Sequence, residues 1–267
     1  MENRRYRAVC FDLDGTLLPM DLDEFLNSYF KALAPCVVRH GVSPDDYQAG
    51  LMGGIRAMMR HDDDRSNFEV FWEVFFEHVD RAAADWAAVF TDFYEHDFGL
   101  LGAGMPANPA AARAIEALTA KGYPLALTTM PLFPLRAVQW RVEWAGIDPA
   151  VFARITTYEN SVSVKPKPAY YAENLAALGV RGEDVLMVGN NTVEDLSFMQ
   201  LGADAFLVTD CLIDPVDYDL ETVRHGSLED FANWIEALPA CEDPAKGIAT
   251  GLVAPAARDA ALASATR

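Results

Sequence analysis

Positive charge is scarce in this chain. Its 267 residues include 21 lysines and arginines against 40 aspartates and glutamates, a formal net charge of −19. A surface of that sign repels the nucleic-acid backbone and anionic membranes, so we expect neither as a partner. An anionic small molecule can bind only where the site itself supplies positive charge.

Long apolar runs are also absent. No stretch approaches the roughly 20 apolar residues that span a bilayer, and the first apolar run breaks at Asp12, too early for a signal peptide. With 51% hydrophobic and 23% charged residues, the composition is typical of a soluble protein with a sizeable core. We therefore expect a cytoplasmic protein.

Cysteine is rare, and the cysteines that are present show no paired spacing. They are far apart, without a CxxC motif: Cys10, Cys36, Cys211 and Cys241. This distribution argues against a zinc knuckle and a disulfide framework. We expect reduced thiols, most of them packed in the interior.

Short apolar runs alternate with helical patterns. The runs lie at residues 8–11, 123–129, 151–158, 185–189 and 203–209, and helical patterns ending in glycine lie at 108–122, 134–146, 168–179 and 194–202. Strands that alternate with helices predict a parallel sheet covered on both faces. The expected fold class is therefore α/β, with a three-layer, Rossmann-like core. Ligands of such sheets bind at the carboxyl ends of the strands.

One interval departs from this alternation. About ninety residues separate the first two apolar runs, and their pattern is helical, with a capping box at Ser66 and Glu69. We predict an all-helical cap at residues 19–104, between core segments 1–18 and 105–240. The aromatic residues at 68–76 have helical spacing, which favours packing of the cap over a substrate pocket. Residues 241–267 form a tail, either a docked helix or a frayed and flexible end.

Polar residues follow several of the predicted strands. Asp12 and Asp14 follow the first, and at this spacing both can point the same way. Such a carboxylate pair usually needs a cation or a shared proton. Thr128 and Thr129 end the second strand, Lys165 precedes a proline, and Asn190 and Asp195 follow a later strand. Each motif alone has a structural explanation: an Asp-Gly turn, a good strand residue, a solvated linker, a helix start.

Taken in order, the motifs "FDLDGT", "LALTT", "KPKP" and "VGNNTVED" strongly resemble the four signatures of the haloacid dehalogenase-like hydrolase superfamily. The resemblance covers about residues 6–210 and is closest to phosphatase-type members with a helical cap after the first motif. It implies that Asp12 is the nucleophile and Asp14 the general acid and base. Lys165 would neutralise the phosphoryl group, and Thr129, more than Thr128, would bind a phosphate oxygen.

The resemblance also implies a magnesium ion, held by Asp12, the main-chain oxygen of Asp14, Asp195 and Asn190. Many members have an acid at the position of Asn190. An amide oxygen can still bind Mg²⁺, so the substitution should weaken the metal site without abolishing it. Glu194 could compensate, but the spacing favours Asp195.

The function expected from the resemblance is a magnesium-dependent phosphatase that hydrolyses a small phosphorylated metabolite through an aspartyl-phosphate. Alternatives are a phosphomutase, a dehalogenase, which would not need Asp14, or a binding or regulatory domain that retains the fold. Arg56 and Arg60 could bind a second anionic group, but a solvated helix face is the favoured interpretation. The sequence predicts no oligomeric state.

Overall fold

A parallel β-sheet forms the centre of the molecule. The computed structural model describes residues 5–265, the last of them by its backbone alone. The sheet order is β3-β2-β1-β4-β5-β6, and every pair is parallel. The strands are β1 Ala8–Phe11, β2 Leu125–Leu127, β3 Phe152–Ile155, β4 Val185–Gly189, β5 Asp204–Val208 and β6 Arg224–Gly226. The α/β fold class predicted from the sequence is confirmed.

The two central strands set the position of the site. Every residue of β1 and β4 is buried, as expected for strands with helices on both faces. Strand β1 lies between β2 and β4, with Phe11 opposite Leu127 on one side and Val188 on the other. The residues that follow these three strands therefore emerge side by side at one edge of the sheet.

The helices fall into a segment between β1 and β2 and a set that flanks the sheet. The first group is α1 Leu22–Val38, α2 Pro44–Arg60, α3 Asn67–His78 and α4 Trp86–Asp92, followed by a π-helix at Phe93–Asp97 and a 3₁₀ helix at Phe98–Gly102. The second is α5 Pro109–Ala120, α6 Leu135–Trp144, α7 Pro168–Leu178, α8 Leu228–Glu236 and α9 Pro255–Ala265. Shorter 3₁₀ helices lie at Pro149–Val151, Gly182–Asp184, Leu196–Leu201 and Leu220–Thr222.

Local signals explain most of the helix ends. The Asn108 side chain accepts a hydrogen bond from the Ala110 amide at the start of α5, and Gly179 ends α7 with a φ of 65°. The predicted helix at 194–202 is instead the 3₁₀ helix at Leu196–Leu201. Strand β6 and helix α8 were not predicted, although Ser227 begins α8 with a capping box.

The segment between β1 and β2 has an aromatic core of its own. Phe71 and Phe75 of α3 are 5% and 0% exposed, whereas Phe68 is 40% exposed. Phe75 packs edge-to-face against Trp86 and Phe90 of the helix that follows. These contacts account for most of the aromatic pattern that the sequence shows at 68–76.

The start of α3 joins this helical segment to the sheet. Asn67 is fully buried, and its side-chain amide donates to the carbonyls of Pro131 and Ser163, which lie beyond β2 and β3. The Phe68 amide donates to the carbonyl of Tyr158 at 2.7 Å. The helical segment is therefore hydrogen-bonded to loops at the carboxyl edge of the sheet. The domain limits 1–18, 19–104, 105–240 and 241–267 remain a prediction.

The acidic loop at 60–66 is held by cations of the chain itself. Asp62 accepts from Lys167, Asp63 pairs with Arg65, and Asp64 pairs with Arg258 of α9. Each of these carboxylates thus has a positively charged neighbour. The arrangement fits a connecting loop better than a cation site.

The end of the chain packs against the core. Helix α9 lies on α7, and Ile248, Ala261 and Leu262 pack against the hydrophobic core on that face of the sheet. The sequence left open a docked helix or a frayed tail at 241–267, and as far as residue 265 the structure shows the docked helix.

Arg154 of β3 holds this terminal segment by hydrogen bonds. The side chain is 1% exposed and donates to the carbonyls of Ala249 and Gly251 at 2.7 and 3.1 Å, to Asn160, and to the Asn174 side chain. Burial lowers the pKa of Arg154, and nearby Glu173 opposes this effect. A buried guanidinium with this many acceptors ties the terminal segment to the sheet.

Cross-links and membrane spans are not seen in the part of the chain that the structure describes. All four cysteines are free, and burial raises the pKa of Cys10 to about 12. Among residues 5–265, no helix combines the length and apolarity required to cross a bilayer.

We predict that Arg154→Met destabilises the protein and releases its terminal segment. The Ala249 and Gly251 carbonyls lose their donor, so the free energy of unfolding should fall by about 2–4 kcal/mol. Urea unfolding would measure this change. Hydrogen exchange should accelerate at Ala249, whose amide donates to Ala177.

Arg181→Met is the matched control, because Arg181 is exposed and its ion pair is with exposed Glu183. It should change the stability by less than about 1 kcal/mol. Equal losses of unfolding free energy in the two variants would contradict the role of Arg154 in holding the terminal segment.

Candidate active site

Three charged side chains from separate parts of the chain meet at the carboxyl edge of the sheet. Asp12 follows β1, Asp195 follows β4, and Lys165 lies in the loop before α7. The Lys165 ammonium donates to Asp12 Oδ1 at 2.8 Å and to Asp195 Oδ1 at 2.6 Å. All three are buried, with exposures of 8%, 1% and 2% for Asp12, Asp195 and Lys165.

The charges of this cluster depend on one another. Burial by itself lowers the pKa of Lys165, but Asp12 and Asp195 together raise it well above its usual value, so the ammonium stays charged. Burial raises the pKa of Asp195, and the charge of Lys165 opposes that increase. Two carboxylates and one ammonium leave the cluster with one net negative charge at neutral pH.

Asn190 is the neutral member of the site. Its side-chain oxygen accepts from the Thr16 hydroxyl at 3.0 Å, and the same hydroxyl lies 3.3 Å from Asp12 Oδ2. Its side-chain nitrogen donates to the carbonyl of Cys211 at 2.6 Å. The amide thus uses both a donor and an acceptor here, which a carboxylate could not do.

Glycines allow these side chains to approach the backbone. Gly15 has a φ of +84°, and a Cβ there would lie 2.3 Å from the side-chain nitrogen of Asn190. A Cβ at Gly189 would lie 2.2 Å from the carboxyl carbon of Asp195. The main-chain N–H of Asn191 also holds Asp195, because it donates to the second carboxylate oxygen of Asp195 at 2.9 Å.

The side-chain oxygen atoms at this edge of the sheet are suitable ligands for a magnesium ion. Among residues 5–265, no group of three or more His, Cys, Asp and Glu side chains is arranged to hold a metal. The side-chain oxygens of Asp12, Asp195 and Asn190 nevertheless share one hydrogen-bonded network through Lys165 and Thr16. These are hard oxygen ligands, and the net negative charge of the cluster favours a divalent cation. Lys165 contacts the carboxylate of Asp195, and the choice of Asp195 over Glu194 as a metal ligand stays a prediction.

The two threonines after β2 face different surroundings. The Thr128 hydroxyl donates to the carbonyl of Phe11 at 3.3 Å, within the sheet. The Thr129 hydroxyl is buried and has no hydrogen-bond partner among residues 5–265. An unpartnered buried hydroxyl is costly, and a bound phosphate oxygen would satisfy it. Of the two residues, Thr129 is the better placed to bind a substrate.

Asp14 pairs with a residue that the sequence did not identify. One of its carboxylate oxygens accepts from Arg141 of α6, and the other is buried without a partner in the described part of the chain. Burial raises the pKa of Asp14, an effect that Arg141 opposes. The Arg141 guanidinium also lies over the Phe133 ring, 4.6 Å from its centroid. No pattern in the sequence indicates a role for Arg141. Thr16 lies within the motif "FDLDGT", but nothing else in the sequence distinguishes it.

The two arginines considered for a second anionic group point away from the interior. Arg56 and Arg60 of α2 are exposed, while Leu51 and Met58 of the same helix are buried. Their positions are those of a solvated helix face, the interpretation that the sequence favoured.

We predict that Asn190→Asp destabilises the metal-free protein and strengthens its response to magnesium. The new oxygen would face the Cys211 carbonyl in place of a donor, and the negative charge of the cluster would increase. The free energy of unfolding should fall by about 1–3 kcal/mol without metal. Because a ligand that binds the folded state stabilises it, Mg²⁺ should raise the melting temperature more than in the wild type.

Asn191→Asp is the control for added charge. The Asn191 side-chain oxygen accepts from the amides of Val193 and Glu194, which an aspartate can still bind. Thermal unfolding with and without Mg²⁺ should show a smaller response for this variant. Equal magnesium responses at positions 190 and 191 would contradict a specific metal contact at Asn190.

Known proteins resemble this chain in fold and in family. No curated protein matches its sequence significantly. A structure described as a predicted phosphoglycolate phosphatase from Haemophilus somnus 129PT has a TM-score of 0.51 at 16% identity, covering 86% of this chain and 97% of its own. A HAD phosphatase from Thermococcus onnurineus has a TM-score of 0.53 at 18% identity, covering 88% and 99%. L-2-haloacid dehalogenase from Xanthobacter autotrophicus has a TM-score of 0.50 at 16% identity, covering 87% and 99%.

Identities this low show a common fold. The family is shown by the haloacid dehalogenase-like hydrolase model, which matches residues 6–201. That range contains Asp12, Lys165 and Asp195, and it spans most of the chain. The protein therefore belongs to the haloacid dehalogenase-like hydrolases.

Proposed function

We propose that this hydrolase is a magnesium-dependent phosphatase that acts on a small phosphate monoester through an aspartyl-phosphate on Asp12. The observation that carries the proposal is the contact of Lys165 with both Asp12 and Asp195, 2.8 and 2.6 Å away. It joins a potential nucleophile, a fixed positive charge and a second acid at the edge where parallel sheets bind their ligands.

In the first step, a carboxylate oxygen of Asp12 attacks the phosphorus atom opposite the ester oxygen. The bond from phosphorus to the ester oxygen breaks, and the leaving oxygen takes a proton from Asp14. The raised pKa of Asp14, caused by its burial, favours the protonated form that this step requires. Lys165 and the free hydroxyl of Thr129 bind the phosphoryl oxygens.

In the second step, water attacks the phosphorus atom of the aspartyl-phosphate. Asp14 takes a proton from this water, the bond to Asp12 breaks, and inorganic phosphate leaves. Phosphoryl transfer depends chiefly on positioning and on neutralisation of charge. The helical segment between β1 and β2, acting as a cap, would exclude bulk water from both steps.

Asp12, Asp195, Asn190 and the main-chain oxygen of Asp14 would hold the magnesium ion. When bound, the ion neutralises negative charge on the phosphoryl oxygens. It would also change the cluster from one net negative to one net positive charge. A positive cluster attracts a phosphate dianion, which the chain as a whole repels.

Asp14 separates this proposal from dehalogenation. A halide leaving group needs no proton, whereas an alkoxide does, and Asp14 lies two residues from the nucleophile with an unpartnered oxygen. A phosphomutase would retain the same residues and differ in its acceptor. A non-catalytic domain is motivated by Asn190 and Asn191, and the intact contacts of Asp12, Lys165 and Asp195 argue against it.

We predict that Asp12→Asn abolishes hydrolysis. Amide nitrogen replaces one carboxylate oxygen, so phosphate release from an aryl phosphate should fall by about 10³-fold or more in the presence of Mg²⁺. Wild-type turnover should also disappear with EDTA and return with added Mg²⁺. Colorimetric phosphate release measures both effects. Metal-independent turnover, or an active Asp12→Asn enzyme, would overturn the proposal.

We predict a different defect for Asp14→Asn, which removes the acid and base and leaves the nucleophile. Esters with poor leaving groups should lose about 10²–10⁴-fold in kcat, while aryl phosphates with good leaving groups should still phosphorylate Asp12. Rapid-quench measurements should then show a burst of aryl alcohol, with phosphate release lagging behind.

The folding of Asp14→Asn should be checked by circular dichroism, because Arg141 loses its ionic partner. A loss that is the same for good and poor leaving groups, without a burst, would argue against Asp14 as the acid and base.

A further inference from the structure

A cavity of about 250 Å³ lies between the helical segment and the chain that follows β2. Its wall consists of leucine, isoleucine, methionine, phenylalanine and tyrosine side chains, and no charged residue contributes. Ile55 of α2 and Tyr29 of α1 lie on one side, and Phe133 lies on the side of the sheet. This cavity is distinct from the polar cluster around Lys165.

Two side chains, Phe133 and Arg141, lie between the cavity and Asp14, the acid and base of the proposed reaction. Phe133 forms part of the wall, and the Arg141 guanidinium lies over its ring while contacting Asp14. The Tyr29 ring lies 5.2 Å from that of Phe133, centroid to centroid. A ring that leaves from the phosphorus beside Asp14 would reach the cavity along these two side chains.

The size of the cavity suits a ring. An apolar cavity of about 150 Å³ binds benzene in another protein, so 250 Å³ has room for a substituted or fused aromatic ring. A charged group placed there would lose its hydration without gaining a counter-ion, which is strongly unfavourable. The nearby arginines of α2, Arg56 and Arg60, are exposed and do not line the wall.

The cavity wall also carries tyrosine hydroxyls, those of Tyr29, Tyr94 and Tyr158. The hydroxyls of Tyr29 and Tyr94 are hydrogen-bonded to each other at 2.8 Å, and both residues line the cavity. This pair has two hydroxyl protons, and the bond between them uses one. The second proton can be donated to one neutral acceptor on a bound molecule.

We infer that the substrate is a phosphate monoester whose leaving group is an aromatic or similarly bulky apolar ring without a second charge. The inference rests on the proposed phosphatase function and adds the class of substrate to it. The ring occupies the cavity at Ile55, Tyr29 and Phe133, and the phosphoryl group lies at Lys165. Small dianionic esters that carry a carboxylate are then poor substrates.

The test compares ligands that cannot be hydrolysed, so that binding is measured apart from turnover. Isothermal titration calorimetry with Mg²⁺ present would use naphthylmethylphosphonate and phosphonoacetate on the full chain. We expect the naphthyl compound to bind about tenfold or more tightly, because only its ring buries apolar surface in the cavity. Turnover of 1-naphthyl phosphate, acetyl phosphate and phosphoglycolate would be measured in parallel.

Ile55→Trp fills the cavity, and Gln48→Trp on the exposed face of the same helix is its control. The first should reduce naphthyl binding by about tenfold or more. The second should change neither naphthyl binding nor acetyl phosphate turnover. If Ile55→Trp does not fold, Ile55→Ala serves instead, since it enlarges the cavity and should also weaken naphthyl binding.

Equal or tighter binding of phosphonoacetate in the wild type would overturn the substrate class. So would naphthyl binding that is insensitive to every change at Ile55. If acetyl phosphate is hydrolysed in either case, the phosphatase function survives without the apolar substrate. If naphthyl binding follows the cavity but no phosphate is released from any compound, the proposed function fails and the binding site remains.

Discussion

The buried ammonium of Lys165 is the interaction on which the rest of the site depends. An ammonium taken out of water is costly unless charges and hydrogen bonds replace its hydration, and here Asp12 and Asp195 do so from two different strand ends. In turn, two carboxylates this close to one another are stabilised by a cation between them or by a shared proton. Each of the three groups is therefore stable only in the presence of the others. This mutual dependence forces the ends of β1 and β4 and the loop before α7 to meet at one place.

The parallel sheet makes that meeting possible at little local cost. Because β1 lies between β2 and β4, the chain leaves three neighbouring strands at the same edge, and Asp12, Thr129 and Asn190 emerge there without long connections. The glycines at 15 and 189 then let side chains approach the backbone more closely than any Cβ would permit. Asn67 bonds the helical segment to the loops beyond β2 and β3, so this segment is attached at the same edge of the sheet. These hydrogen bonds to main-chain carbonyls hold it there independently of its aromatic core.

Features of the fold that depend on local sequence patterns could be predicted, whereas features that depend on contacts between distant residues could not. β1 and β4 were predicted because both faces of each are buried and their residues are almost all apolar. β6 was missed because Arg224, His225 and Gly226 have no apolar pattern, and the pairing of Phe206 with Arg224 depends on a neighbouring strand. The contact of Arg141 with Asp14 joins positions 127 residues apart and has no local signal. The anchoring of the terminal segment by Arg154 is missing from the prediction for the same reason.

The acidity of the chain and the apolarity of the cavity have a common consequence for binding. A phosphate dianion that approaches a protein of net charge −19 gains no attraction from the molecule as a whole. On the proposed function, Asn190 adds no negative charge to the metal site, whereas an aspartate there would attract the metal ion more strongly. The metal ion is the second source of attraction for the phosphate, and Asn190 weakens it. On the proposed function, burial of a ring against Phe133 and Ile55 supplies binding free energy that does not depend on charge. Binding energy gained far from the reacting atoms can hold the phosphorus in line with Asp12. In this enzyme a neutral ring would then supply binding free energy that, in a less acidic protein, would come from a second anionic group paired with an arginine.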